Sequence, residues 1–147
     1  MNRYRYALGQ IVAVVLFALG QTALVAADAP PASVQVTIDF GDGVELRFKS
    51  LPWRAEMTAL EAIQLVSGHA HGVKVALRGS GSRAFVEQIG DLKNEGGGRN
   101  GRNWRYRVNG KPAEVGIGSL KLAKGDSVLW KFERYQYNSD SADESEK

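Results

Sequence analysis

From position 34 to position 49 apolar and polar side chains alternate. Val34, Val36, Ile38 and Phe40 share one parity, with Gln35, Thr37 and Asp39 between them. After Gly41-Asp42-Gly43 the alternation resumes, with Val44, Leu46 and Phe48 against Glu45, Arg47 and Lys49. Neighbouring side chains of a strand point to opposite faces, so each run predicts a strand with one buried side. The short glycine-containing loop between them predicts a β-hairpin. The period then lengthens. Ala59, Ala62, Ile63 and Val66 recur at helical spacing, which predicts an amphipathic helix. Thr58 and Glu61 have the spacing of a capping box at its start, and Gly68 and Gly72 mark its end.

Beyond the helix the alternation returns. Short strands are expected at Val73–Leu77 and Ala84–Ile89, separated by Gly79-Ser80-Gly81-Ser82. Residues 91–103 are rich in glycine and predict a long flexible connection. Trp104, Tyr106 and Val108 then alternate with Arg105 and Arg107 and run into Asn109-Gly110, a strong turn signal. Lys124-Gly125-Asp126 predicts a further turn before a last strand with Val128, Trp130 and Phe132 inward. Strand, strand, helix, then several strands gives an α+β expectation, most simply a β-grasp: a mixed sheet wrapped on a single helix.

The two ends of the chain read differently. Arg3 and Arg5 precede an apolar run from Ala7 to Leu19, and Val25-Ala26-Ala27 supplies small residues before Asp28. This order predicts a secretory signal peptide over residues 1–27. The apolar run is well short of the ~20 residues that span a bilayer. Residues 28–33, with two prolines, predict an extended linker, and residues 34–137 the folded domain. Residues 138–147 contain no apolar side chain larger than alanine and predict a disordered acidic tail.

Loss of Arg3 and Arg5 with the leader lowers the formal net charge from +3 to +1. So small a surplus argues against a nucleic-acid partner, which calls for a clustered positive excess. The chain has no cysteine, which excludes disulfides, thiol nucleophiles and thiolate metal sites. No metal site or cofactor is indicated by the residues.

The run Val36–Gly43, the helix start Thr58–Ala62, the run Asn103–Gly110, the stretch Val115–Leu120 and Lys124–Trp130 occur in that order. Together these motifs resemble the transcobalamin C-terminal-like domain family, a bacterial domain of unknown function. That family is similar to the small β-rich domain of transcobalamin and intrinsic factor, and the resemblance covers residues 34–134. It implies a β-grasp-like fold and, as one alternative, an accessory role in binding a corinoid such as cobalamin. In the animal carriers the corinoid lies between this small domain and a helical barrel. Here that barrel is expected on another chain.

Candidate recognition residues are few. Trp53, in a loop after Pro52, is the aromatic expected to be partly exposed. Arg99 and Arg102 lie in the glycine-rich connection, and Arg105 and Arg107 on the strand it feeds. Four guanidiniums in nine residues predict either one cationic face for an anionic ligand or a charged sheet face that stays soluble and discourages edge pairing. Trp104 is a further candidate, although its alternation with Arg105 favours the core. His69 and His71 are the two histidines; they lack an evident third ligand and are expected at a solvated helix end. Ser67 beside His69 lacks a nucleophile motif, and Asp39 and Asp42 suit turn chemistry. The resulting expectation is an exported, non-catalytic module, secreted or periplasmic. It would bind a small molecule, an anionic glycan or an envelope protein, with a small hydrolase as the remotest alternative.

Overall fold

The alternating run at positions 34–49 forms an antiparallel hairpin, β1 (Ser33–Asp39) and β2 (Glu45–Pro52), in the computed structural model, which describes residues 31–97 and 100–134. Ser33, expected in the linker, already belongs to β1. The register pairs Ile38 with Leu46 and Val36 with Phe48, but Val34 with Leu51. One extra residue in β2 therefore makes a bulge, and the buried position moves from Phe48 to Leu51 rather than to residue 50. Val44, expected on the inner face, lies before β2 and is exposed, because the loop rather than the ladder sets its direction. Asp39 and Asp42 do the turn chemistry expected of them, accepting hydrogen bonds from the Gly41 and Val44 amides at 2.8 and 3.0 Å.

The helix α1 (Ala59–Gly68) begins with the expected capping box. Thr58 Oγ1 accepts from the Glu61 amide and Glu61 Oε2 accepts from the Thr58 amide, both at 3.3 Å. Ala59, Ala62, Ile63 and Val66 are buried, as their spacing requires. Beyond α1 the chain forms a small antiparallel sheet of β3 (Val75–Arg78), β4 (Phe85–Ile89) and β5 (Leu92–Lys93). A 3-10 turn at Gly81–Arg83 joins β3 to β4.

Next come β6 (Arg102–Val108), β7 (Lys111–Pro112) and β8 (Ser127–Arg134). Asn109 and Gly110 both have positive φ, 51° and 80°, as the tight turn between β6 and β7 demands. These strands join the hairpin in a five-stranded sheet of order β2-β1-β8-β6-β7, in which β1 and β8 run parallel. The fold is thus mixed α+β, with two sheets and, among the described residues, one α-helix.

Two expectations change here. There are two sheets rather than one, and the connection over residues 91–103 is not wholly loose. It contains β5, and Asn94 ties it to β4 and β6 by donating to the Val86 carbonyl and accepting from the Trp104 amide. Strand β6 accordingly starts at Arg102. The core lies between α1 and the even-numbered side chains of β1, β6 and β8: Val34, Val36, Ile38, Trp104, Val128, Trp130 and Phe132. Segment 113–123 closes it from the other end, accepting the Ala59 and Leu60 amides at the Leu120 and Ile117 carbonyls. The leader expected at 1–27, Arg99 and the acidic tail expected at 138–147 lie outside the described residues.

Candidate functional site

The four arginines expected to make one face do not share it. Arg105 and Arg107 point outward from β6, opposite Lys131 and Leu129 of β8. Arg102 has the parity of Trp104 and lies on the other side, its guanidinium carbon 4.8 Å from the centre of the Phe132 ring. Arg102 and Arg105 are three positions apart in one strand, and a period of two puts them on opposite faces. Arg99 lies outside the described residues. The outer face is also not a field of cations. Arg107 pairs with Glu133 at 2.6 Å, Lys131 with Asp39 at 2.7 Å and Arg47 with Glu45 at 2.5 Å. These pairs offset part of the positive charge, while Arg105 and Lys131 face each other directly across β6 and β8.

Trp104 belongs to the core and not to a binding surface. It is 7% exposed, its Nε1 donates to the Leu92 carbonyl at 2.8 Å, and its ring meets Phe40 edge-on at 5.7 Å. Tyr106 stacks on Trp130 with centroids 5.0 Å apart and donates its hydroxyl to the Val115 carbonyl. Burial pushes its phenol pKa upward. His69 packs edge-on against Phe48, and its Nδ1 accepts the His71 amide at 3.1 Å. Among the described residues no three His, Cys, Asp or Glu side chains are grouped to hold a metal ion.

Two concave regions stand out among the described residues. The first is lined by Trp53 with Pro52, Arg54, Met57, Glu61 and Gln64, and has a volume of about 500 Å³. Trp53 is half-buried, as expected, and is fixed at two points. Its indole Nε1 donates to the Leu122 carbonyl at 2.7 Å, and its amide donates to the Ala32 carbonyl at 3.0 Å. Met57 is buried beneath, Leu65 is 36% exposed beside it, and Arg54 pairs with Glu61 at 2.6 Å across the rim. Neighbouring Glu56 is held at φ 64°, a left-handed conformation uncommon outside glycine, with its carboxylate paired to Lys121. The sequence pointed to Trp53, but not to its partners. Those come from the end of β2, the connection that follows it and the exposed side of α1, which meet only after folding.

The second region, about 540 Å³, lies at the end of the five-stranded sheet where β1, β6 and β8 meet the loop at Gly41–Gly43. Its charged lining is Asp39, Glu45, Arg102, Lys131, Glu133 and Arg134. The loop presses closely on β8: a Cβ on Gly41, which sits at φ 76°, would lie 2.4 Å from the Phe132 carbonyl oxygen. Burial alone would raise the Asp39 pKa. The hydrogen bond from Lys131, the Gly41 amide and the Lys131 charge outweigh it and hold the carboxyl below its ordinary value.

Residues 57–134 match the family described as a domain of unknown function, DUF4430. The chain belongs to this family. The matched segment runs from the entry to α1 to the end of β8, so it contains one wall of each cavity and omits the β1–β2 hairpin. No curated protein matches the chain. Among solved structures, the chain is similar to one from Ruminococcus gnavus, described as a "putative metal binding protein". The TM-score is 0.53 at 12% identity, covering 71% of this chain and 99% of that one. This DUF4430 chain and that protein share a fold. The expected kinship to the cobalamin carriers is not established by these matches.

Proposed function

We propose that this DUF4430 protein is an exported, non-catalytic binding module whose ligand or partner group docks in the Trp53 cavity. The observation that carries this reading is the fixed, half-buried indole. An aromatic ring held by a hydrogen bond to Leu122, above buried Met57, is ready before a ligand arrives. A site already ordered loses less freedom on binding. The surrounding groups of Arg54, Glu61 and Gln64 supply a few polar contacts around an apolar floor, the usual composition of a small-molecule or side-chain pocket. The basic, apolar and small-residue order of residues 1–27 supports export, to the periplasm or beyond. The order β2-β1-β8-β6-β7, with a parallel central pair, supports reading the fold as a β-grasp. The metal binding ascribed to the Ruminococcus gnavus protein is not extended to this chain, whose His69 Nδ1 is engaged by a backbone amide.

The test is a protein-observed NMR screen of the chain from Asp28 onward against small molecules and neutral and acidic oligosaccharides, following the Trp53 indole N–H and the Leu65 methyls. Ligands of the site shift both signals. Trp53→Ala abolishes their binding, and so does Leu65→Glu, which fills the rim from an exposed helix position without disturbing the core. Hits that bind Leu65→Glu as tightly as the unaltered domain overturn the assignment.

A further inference from the structure

In the ladder between β6 and β8, Arg102 is directly opposite Arg134. Directly opposed residues of an antiparallel pair share a face, with Cβ atoms about 4.5–5.5 Å apart, and like charges there repel. Nearby carboxylates offset this repulsion only in part, through the one carboxylate of Glu95 that both charges reach. Of those that line the sheet-end cavity, Asp39 is taken by Lys131, Glu133 by Arg107 and Glu45 by Arg47. Glu95 serves Arg102, with Oε1 3.5 Å from its Nε and Oε2 accepting its amide at 2.7 Å. Arg134 is exposed and makes no ion pair among the described residues. The cavity thus has one guanidinium fixed in direction and a second facing it that makes no direct ion pair among the described residues, with Glu95 feeling the charge of both.

We propose that Arg102 and Arg134 together hold an oxyanion, a carboxylate, sulfate or phosphate group carried by a small ligand in the sheet-end cavity. Stacking over Phe132 and the contact with Glu95 orient the Arg102 side chain, while 41% of it stays accessible. A planar guanidinium so placed offers paired donors to an oxyanion, and charge-assisted bonds of this kind are the stronger ones. A volume of about 540 Å³ leaves room for the body of the ligand beyond its acidic group. Approach past Gly43 is open, since nothing lies within 4 Å of where its Cβ would be. The site shares no lining residue with the Trp53 cavity, so it stands independently of that reading.

The arginine Nε–H resonances of the chain from Asp28 onward report directly on it. Titration uses inorganic phosphate, inorganic sulfate and glucuronate in turn, at constant low ionic strength with chloride as control. Saturable shifts at Arg102 and Arg134 are expected with at least one of them, and Trp53→Ala leaves these unchanged. Equal responses to all three assign the oxyanion alone, whereas a tighter response to glucuronate assigns an acidic sugar. Arg134→Ser weakens binding by roughly tenfold or more, the equivalent of ~1.4 kcal/mol. Glu95→Gln tightens it several-fold, because the internal carboxylate no longer competes for Arg102. Arg105→Ser, on the opposite face, has no effect. Absence of saturation with every probe, or the same affinity in Arg134→Ser, overturns the proposal. If Arg134→Ser does not fold, an unchanged affinity in Glu95→Gln overturns it instead.

Discussion

Trp130 shows how one side chain can be both anchor and liability. It is 2% exposed and stacks on Tyr106 at an interplanar angle of 24°, so most of a large ring is removed from water. Yet its indole Nε1 is buried with no hydrogen-bond partner among the described residues. A buried donor left unpaired costs about 1–3 kcal/mol. Truncation by Trp130→Ala should cost about 3–5 kcal/mol, as for other core aromatics. Trp130→Phe should cost clearly less, because it removes the unpaired N–H along with part of the ring. Chemical denaturation of the two variants decides the point: equal losses would show that the indole N–H carries no penalty. Trp53, by contrast, satisfies its Nε1 at Leu122 while keeping part of its ring accessible. The same residue type thus serves the core at one position and, in our reading, recognition at the other.

At the scale of elements, the close approach of two loops decides more than either loop's own conformation. A Cβ on Gly118 would lie 1.8 Å from the Gly81 carbonyl oxygen, and one on Gly116 3.0 Å from that of Ser82. Segment 113–123, which closes the core over the start of α1, therefore rests against the 3-10 turn between β3 and β4. Gly118→Ala must push the two backbones apart, and a loss of several kcal/mol is expected, in the upper tail for single substitutions. Gly68, the last residue of α1, has open space at its Cβ position and no positive φ. Gly68→Ala should be neutral or stabilise by about 0.4–1 kcal/mol through the unfolded chain. Melting temperatures of the two variants are expected to move in opposite directions, or Gly68→Ala not at all. Sequence spacing identified the helix and its glycine stop, but nothing local to Gly118 revealed the strand connection it abuts.

For the whole molecule, the central parallel pair carries a charge link that ties stability to pH. Asp39 of β1 and Lys131 of β8 are register partners, joined at 2.7 Å. The folded state lowers the Asp39 pKa, so this carboxylate stabilises the fold above its ordinary, unfolded pKa. That contribution is lost as pH falls through the lower folded value. Lys131 is shifted upward, chiefly by its hydrogen bond to Asp39. Its share is present below the ordinary lysine pKa and fades as pH rises through the raised value. Asp39→Asn should therefore flatten the acid arm of a melting-temperature profile recorded from roughly pH 2 to pH 7. An unaltered acid arm would mean that other carboxylates govern acid unfolding.

What the sequence determined by itself was local. The period of two from Val34 to Lys49, the capping box at Thr58 and Glu61, and the Asn109-Gly110 turn each fix a backbone shape within a few residues. Burial of Trp104 and Trp130 followed from the same alternation. Tertiary structure alone decided which strands became neighbours. The parallel union of β1 with β8 joins segments about 90 residues apart, and no short-range pattern encodes that register. Only that pairing brings Asp39 to Lys131, while the long-range ladder of β6 and β8 opposes Arg102 and Arg134. Four arginines close in sequence looked like one surface. The start of β6 at Arg102 put that residue on one face and Arg105 and Arg107 on the other, because a strand turns each successive side chain to the opposite side.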